Sequence, residues 1–402
     1  MGRASREDVP RRVEGLKYLQ SLWPLLERLQ AAGCERDRAG NRELFFPQYA
    51  SLILLTFFNP ALKSVRALQQ ASELDQVQRK LHCKRVSLGS LSEAGRVFDA
   101  ELLEPIIAEL AERIPATPGE ASLAGLSVVP IAVDGTLLKA LPQITQACYA
   151  TRRDQGWKLH THFELLRGIP TRMKLTDASG AGAANEKQVL RQALAADRCY
   201  VLDRGYEEFA LFNAIVAAKS SYVCRVKASH HFAIETTREL TAEAQAAGVV
   251  EDSVGRPGSP NSKRAEPIDH PVRRIVVRAQ PHPKRGKTKR PTAAYDLVIV
   301  TNLLDVPAEV IAALYRYRWW IELFFRFFKH VLGCQHLLSE HPGAIQIQAY
   351  CALIACLLIC LIAGRKPGRR TFEMLCLYFQ GWASDEELLR HLHKLPLQKT
   401  PA

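Results

Sequence analysis

The sequence predicts an α/β protein: a mixed sheet with helices, preceded by an all-helical N-terminal region and interrupted by a β-rich insertion. Three observations carry this. Apolar residues recur at helical spacing through the first 120 residues, and from about residue 126 the pattern changes to short apolar and alternating runs. The helix–strand alternation that follows is broken at 229–304 by turn-rich sequence.

In order along the chain, Val13, Leu16, Leu19, Leu22, Trp23, Leu26 and Leu29 predict a first helix. Further helices are expected around 47–58, 62–71 and 90–113, and Pro115, Pro118 and Gly119 mark a boundary, giving a helical domain over 1–120. SVVPIAVDG (127–135) is a short apolar run ending in Asp-Gly, and WKLHTHFELLRG (157–168) and TRMKLTDA (171–178) follow like neighbouring strands of a meander. NEKQVLRQALAA (185–196) reads as a helix, CYVLDRGY (199–206) as a buried strand, EEFALFNAIVAAK (207–219) as a helix and SYVCRVKA (221–228) as a strand, so 121–228 forms the first part of the sheet domain. Within the insertion, 229–304, RRIVVRAQ (273–280) and AYDLVIVTN (294–302) read as strands of a β-rich subdomain around a basic loop. The sheet domain resumes over 305–365 with a helix from about 307 to 330 and an apolar helix at 345–363, and 366–402 is a helical tail.

Composition bounds the function. Of 402 residues, 47% are hydrophobic and 24% charged, the balance of a globular protein with a real core rather than a disordered chain. Lys plus Arg number 54 against 41 Asp plus Glu, a net charge of +13 that points to a polyanionic partner, nucleic acid or an acidic membrane surface. The 10 cysteines show no CxxC pair and several sit in apolar runs, so we expect reduced thiols, neither a disulfide framework nor a zinc ribbon, and a cytoplasmic protein. Ala349–Ala363 is apolar and followed by Arg365, Lys366, Arg369 and Arg370, but it falls short of the ~20 residues a membrane span needs and is expected to be a buried helix.

Two strands end alike: PIAVDG places Asp134, and YVLDRG places Asp203, directly after apolar runs. Carboxylates there lie where open α/β sheets hold ligands, although each alone reads as readily as a turn opener or a helix cap. A third element shifts the balance. Tyr315, Arg318, Glu322 and Lys329, with Arg326, fall on one stripe of a helix at ~100° per residue, and Trp320, Leu323, Phe324, Phe327 and Phe328 supply an apolar remainder to bury against the sheet. One carboxylate among three cations and a phenol differs from a balanced surface salt-bridge stripe and suits an anionic substrate. His230-His231 has no partner at metal spacing, His160 and His162 alternate on one strand facing either the site or solvent, and no P-loop or GxGxxG occurs.

YRYRWWIELFFRFFK reads as Tyr-x2-Arg-x3-Glu-x6-Lys and resembles the signature of the insertion-sequence-four family of bacterial DDE transposases. VPIAVDGT and VLDRGY look like the segments that bear that family's first and second Asp, with Arg204 following the second, and the resemblance runs from about 125 to 365. It implies a ribonuclease-H-like fold, an N-terminal helical domain that binds transposon ends, cleavage and strand transfer on double-stranded DNA (terminal inverted repeats and target), and a homodimer in the DNA complex. The reaction so implied is an in-line displacement at phosphorus, which needs charge neutralised on the attacking and leaving oxygens. Asp134, Asp203 and Glu322 are then the expected catalytic ligands of two Mg²⁺ ions, which take hard carboxylate oxygens, with Mn²⁺ able to substitute. Tyr315, Arg318 and Lys329, with Arg204 and Arg326, would then grip phosphates beside the scissile bond. The competing expectations are a catalytically inactive relative that binds DNA as a repressor of transposition, and a basic membrane-associated protein. In some relatives a Trp of the insertion holds a flipped base; here Trp23, Trp157, Trp319, Trp320 and Trp382 all lie outside 229–304, a departure from that pattern.

The charge excess is local. Arg273, Arg274, Arg278, Lys284, Arg285, Lys287, Lys289 and Arg290 lie within 271–290 without an acid, and 365–370 adds four more cations. A basic hairpin lying along DNA, with Lys284, Arg285, Lys287, Lys289 and Arg290 touching its phosphates, competes with a plain solvated loop.

Overall fold

The computed structural model describes residues 17–32, 42–59, 61–115, 123, 126–139, 156–229, 231–258, 267–280, 293–364 and 368–394. The chain divides into two compact units, one made of 1–115 and 325–402, the other of 116–324.

The first unit opens with helices α1 (Lys17–Leu26), α2 (Phe46–Phe58), α3 (Val65–Ala71), α4 (Asp75–Leu81), α5 (Leu88–Val97) and α6 (Glu104–Glu112). Helix α2 starts with Pro47 in its first turn, where a missing N–H costs nothing, and is buried on all sides except at Thr56. Ser64 and Ser87 cap α3 and α5 by accepting from the N–H groups of Ala67 and Ser90.

The second unit is built on one nine-stranded sheet. Its strands are β1 (Val129–Lys139), β2 (Gly156–Glu164), β3 (Ile169–Asp177), β4 (Arg198–Leu202), β5 (Ser221–Val226), β6 (Phe232–Thr237), β7 (Val249–Pro257), β8 (Val272–Ala279) and β9 (Tyr295–Thr301), in spatial order β3-β2-β1-β4-β5-β9-β8-β7-β6. β1 runs parallel to β4 and β4 to β5, while all other neighbours are antiparallel. The parallel centre is buried on both faces, as Cys199, Tyr200, Val201 and Leu202 require: none is more than 1% exposed. Helices α7 (Glu186–Gln192), α8 (Phe209–Ala217) and α9 (Ala242–Ala246) join the strands, and α10 (Ala308–Tyr317) and α11 (Trp319–Arg326) follow the sheet. Leu211, Phe212 and Ile215 of α8 pack with Tyr200, Leu202, Tyr222 and Cys224 in the core, and Phe324 of α11 meets Phe163 of β2 with ring centroids 5.6 Å apart.

The chain then returns to the first unit through a π-helical turn at Phe327–Val331, α12 (Pro342–Ala363), α13 (Arg369–Phe379) and α14 (Asp385–Lys394). Helix α12 has 22 residues, long and apolar enough by length and composition to cross a membrane, and 83% of its most apolar stretch is buried within the protein. It ends at Gly364 in the left-handed conformation (φ 61°), a helix stop that glycine makes without strain. Cys351, Cys356 and Cys360 lie inside it as buried thiols outside any disulfide, where cysteine packs as a small hydrophobe.

Four expectations are corrected. The insertion is not a separate subdomain: β9 pairs with β5 (Val223 opposite Thr301), and β8, β7 and β6 add on, so 232–301 extends the main sheet. β6 and β7 escape notice in sequence because β6 is an edge strand exposed along most of its length and β7 carries Glu251, Asp252 and Arg256. β1 does not stop at Asp134 but continues to Lys139, because β2 pairs with it along the whole length. The helix expected over 307–330 is two helices with a break at Arg318, where the N–H groups of Arg318 and Ile321 bond three residues back, to Tyr315 and Arg318 (3.3 and 3.2 Å), and the last turn widens to π at 327–331. The ideal 100° stripe therefore does not run unbroken from Tyr315 to Lys329, and Leu323 is exposed rather than buried.

Candidate active site

The sheet register brings the two aspartates together. Ala132 of β1 lies opposite Val201 of β4, the last parallel pair, and Asp134 and Asp203 each follow two residues later. Equal offsets on adjacent strands, ~4.8 Å apart, put both carboxylates at the same level and on the same face. β4 ends there and Asp203 opens a 3₁₀ turn, Arg204–Tyr206, its Oδ1 accepting from the Gly205 N–H at 2.7 Å. Asp134 accepts from its neighbour's N–H, Gly135, at 2.8 Å. Asp203 thus does serve locally as a turn carboxylate, whereas Asp134 lies within β1, and the register brings the two together.

Arg318 ties Glu322 to this pair. Standing at the α10–α11 break, its Nη2 donates to Glu322 Oε1 at 2.8 Å and its Nη1 lies 3.5 Å from Asp134 Oδ2. The same guanidinium stands over the Tyr315 ring, 5.8 Å from its centroid. Burial, opposed by the Arg318 charge and reinforced by Asp203 and Glu186, pushes the Asp134 carboxyl up to about 6. Burial likewise raises the Tyr315 hydroxyl, against the charges of Arg318 and Arg225.

Three participants were not legible in the sequence: Glu186, Lys158 and Tyr206. Glu186 begins α7 after the cap Asn185, and its Oε1 lies 2.5 Å from Lys158 Nζ on β2. A Cβ on Gly135 would stand 2.8 Å from that oxygen, and one on Gly205 would stand 4.0 Å from Glu186 Oε2 and 3.0 Å from Asp203 Oδ1. The glycines after the two aspartates leave the space the acids occupy. Tyr206 is 1% exposed and its hydroxyl, buried, has no hydrogen-bond partner. Burial first, then the charges of Glu186, Asp134 and Asp203, raise its pKa well above the ordinary value. The sequence signals were faint: a glutamate in a first helical turn is ordinary, and only the glycine after each aspartate hinted at close approach.

The other candidates separate. Arg204 is exposed in the turn after Asp203. Arg326 is exposed at the end of α11 and Lys329 is half-buried in the π turn, both in the first unit. Lys284, Arg285, Lys287, Lys289 and Arg290 lie outside the described residues. The remaining three cations of the basic segment are not a free stripe, because neighbouring strands supply acids the linear sequence hides. Arg273 is buried against Asp252, Arg274 pairs with Glu251, and Arg278 pairs with Asp296. His160 and His162 are both buried, which lowers their pKa to about 4 and about 3. His160 Nε2 lies 2.9 Å from Thr176 Oγ1 and His162 stands edge-on to Tyr200, so both act as neutral packing groups.

Among the described residues, no three acid, histidine or cysteine side chains converge closely enough to hold one ion between them. Arg318 stands between Asp134 and Glu322. The donor set nevertheless suits a hard divalent cation: carboxylate oxygens at one sheet level, one of them with a raised proton affinity, and an unpartnered hydroxyl facing them.

Fold and site together define an α/β protein with paired acids at the parallel centre of its sheet. The family described as Transposase DDE domain matches residues 129–358, more than half of the chain, and the protein belongs to the DDE-domain transposases. It is 30% identical over 213 residues to y4zB of Sinorhizobium fredii (strain NBRC 101917 / NGR234), which carries a transposase name, over 52% of this chain and 54% of that one. It is 39% identical over 64 residues (16% and 17% of the two chains) to a Geobacillus stearothermophilus protein named for insertion sequence element IS5377. A Synechocystis sp. protein (strain ATCC 27184 / PCC 6803 / Kazusa) named for element IS4SA is 33% identical over 95 residues, 22% of this chain and 28% of that one. The chain thus matches about half the length of y4zB and less of the other two. Among solved structures, the piggyBac transposase synaptic complex with hairpin DNA aligns with a TM-score of 0.41 at 12% identity, over 97% of this chain and 86% of that one.

Proposed function

We propose that this chain is an active transposase that binds the terminal inverted repeats of an insertion sequence and carries out divalent-metal-dependent DNA cleavage and strand transfer. The observation that supports it best is the register placing Asp134 and Asp203 side by side, with Glu322 joined to Asp134 through Arg318. The strand order β3-β2-β1-β4-β5, antiparallel then parallel, supports reading this part of the sheet as a ribonuclease-H-like core, to which β6–β9 would be the insertion.

Asp134, Asp203 and Glu322 would hold Mg²⁺, or Mn²⁺ in its place. Once bound, the metal supplies Lewis-acid activation of the attacking oxygen and neutralises the leaving one. The chain's own residues do the rest. Burial raises the proton affinity of Asp134, so below about pH 6 a proton competes with a cation for that carboxylate, and a bound cation would supply the counter-charge that burial withholds. Arg318, fixed by Glu322 and the Tyr315 ring, is aimed at the acids and can turn its guanidinium to a phosphate oxygen. Tyr315, Arg318, Arg204, Arg326 and Lys329 position the backbone, and Lys284, Arg285, Lys287, Lys289 and Arg290 extend the grip along the duplex. Residues 1–120 recognise the ends, two copies pair them as a homodimer, and the protein works in the bacterial cytoplasm at the nucleoid.

The test is strand cleavage on DNA carrying the element's own ends, with Mg²⁺. Asp134→Asn and Glu322→Ala are expected to lose cleavage by on the order of a thousandfold while still binding the ends. Full activity in either variant would falsify the mechanism, and end-binding without any wild-type nicking would leave the repressor reading. Replacing Lys284, Arg285, Lys287 and Lys289 with Ala should flatten the salt dependence of binding by roughly 0.9 log units for each phosphate that is no longer neutralised. An unchanged slope returns that segment to a solvated loop.

A further inference from the structure

We propose that Glu186 is a fourth carboxylate ligand of the cation site, held in the metal-free protein by Lys158. This rests on the metal-dependent reading of Asp134, Asp203 and Glu322.

Three independent observations carry it. The first is clearance. Glu186 Oε1 stands 2.8 Å from where a Cβ on Gly135 would be and Oε2 4.0 Å from one on Gly205. A side chain at Gly135 would collide with Glu186 as it stands, and Glu186 Oε2 and Asp203 Oδ1 lie 4.0 and 3.0 Å from the same point above Gly205, so the two acids converge there. The second is charge imbalance. Four carboxylates, Asp134, Asp203, Glu186 and Glu322, gather at this end of the sheet, and among the described residues the ion pairs reaching them come from Lys158 and Arg318 alone. A structural ion pair balances one to one, as Asp252 and Arg273 do elsewhere in the same sheet. Here two negative charges are left over, the deficit one divalent cation fills. The third is Tyr206. Its hydroxyl is fully buried, faces the field of Glu186, Asp134 and Asp203, and donates to nothing. A buried donor without an acceptor costs roughly 1–3 kcal/mol, so its retention beside three carboxylates marks an arrangement completed when those carboxylates reorient.

Lys158 then has a definite part. Its ammonium is 2.5 Å from Glu186 Oε1 and competes with a cation for that oxygen. Glu186 lies in the first turn of α7, on a different element from the strand-borne Asp134. A helix-borne glutamate with a competing lysine makes a ligand that can be taken up or released without disturbing the strand-borne aspartates.

Cation binding can be measured without DNA or turnover, by the loss of the free Mn²⁺ electron paramagnetic resonance signal on titrating full-length protein. Glu186→Gln is expected to bind Mn²⁺ at least about tenfold more weakly than wild type, with thermal melting of the metal-free proteins to verify folding. Lys158→Met is expected to bind Mn²⁺ more tightly, because a competitor for Glu186 is gone. Wild-type affinity in Glu186→Gln alongside lost affinity in Asp134→Asn overturns the fourth ligand and leaves the three-acid reading standing. If Glu186→Gln fails to fold, Lys158→Met decides: tighter binding supports the proposal, and unchanged or weaker binding overturns it. Absence of Mn²⁺ binding by the wild type overturns both this inference and the metal-dependent function on which it rests.

Discussion

Two groups of buried charge lie in the same sheet and are organised in opposite ways. On β7 and β8, Asp252 and Arg273 are 5% and 3% exposed in their side chains and meet in a bidentate pair, Nε to Oδ1 at 2.8 Å and Nη2 to Oδ2 at 2.6 Å. The remaining Arg273 nitrogen donates to the carbonyls of Leu303, Leu304 and Val306, so the charge is paired and each guanidinium nitrogen has a partner. On β1 and β4, Asp134 lies beside Asp203 and Glu186, shares one arginine with Glu322 at a longer 3.5 Å, and faces a hydroxyl with no partner. The first group is complete within the chain and fixes where the segment before α10 runs. The second is under-compensated, which a fold tolerates where a ligand is to supply what is missing.

The contrast can be broken most sharply by stability. Asp252→Asn, which leaves Arg273 buried without its counter-charge, should cost about 3–5 kcal/mol in urea unfolding, whereas Asp134→Asn in metal-free protein should be neutral or stabilising. Equal losses at the two positions would erase the distinction.

A smaller effect comes from the neighbouring histidines. Burial lowers the His162 pKa from 6.5 to about 3, so between those values the unfolded chain binds a proton that the folded chain refuses. Stability that is complete above pH 6.5 is therefore lost as pH falls towards the folded value, at up to about 1.4 kcal/mol per pH unit. Asp134, raised to about 6, works in the opposite direction, but it is common to wild type and variant. His162→Phe should lose stability less steeply than wild type between pH 6.5 and 4; parallel curves would show that the imidazole is protonated in the fold.

The smallest effect is expected at Arg278. Its pair with Asp296 on β9 is half exposed, so Arg278→Ala should cost less than about 1 kcal/mol in the same unfolding assay. A loss approaching that of Asp252→Asn would mean that pairing rather than burial sets the scale.

Much of the site was legible because its landmarks are local. An apolar run closing in Asp-Gly, another closing in Asp-Arg-Gly, and Tyr, Arg and Glu at offsets of three and four along a helix are patterns within a few residues of each other. Glu186 and Lys158 were not legible. A glutamate opening a helix and a lysine on a strand are commonplace, and only the fold, which brings the start of α7 to Lys158 of β2, makes them partners. The basic segment misled for the same reason: Arg273, Arg274 and Arg278 have no acid near them in sequence, but β7 and β9 bring Asp252, Glu251 and Asp296 alongside.

By itself, then, the sequence determined the fold class, the order of most helices and strands, the three candidate acids and the arginine and tyrosine beside them, because periodicity and chain-neighbour chemistry are written at short range. Tertiary structure alone decided that β6–β9 extend one sheet, that Asp134 lies within a strand level with Asp203, that the Glu322 helix breaks at Arg318, and that a fourth carboxylate joins the cluster. Strand register and helix crossing are set by packing between residues tens of positions apart, and that packing chooses which charges meet.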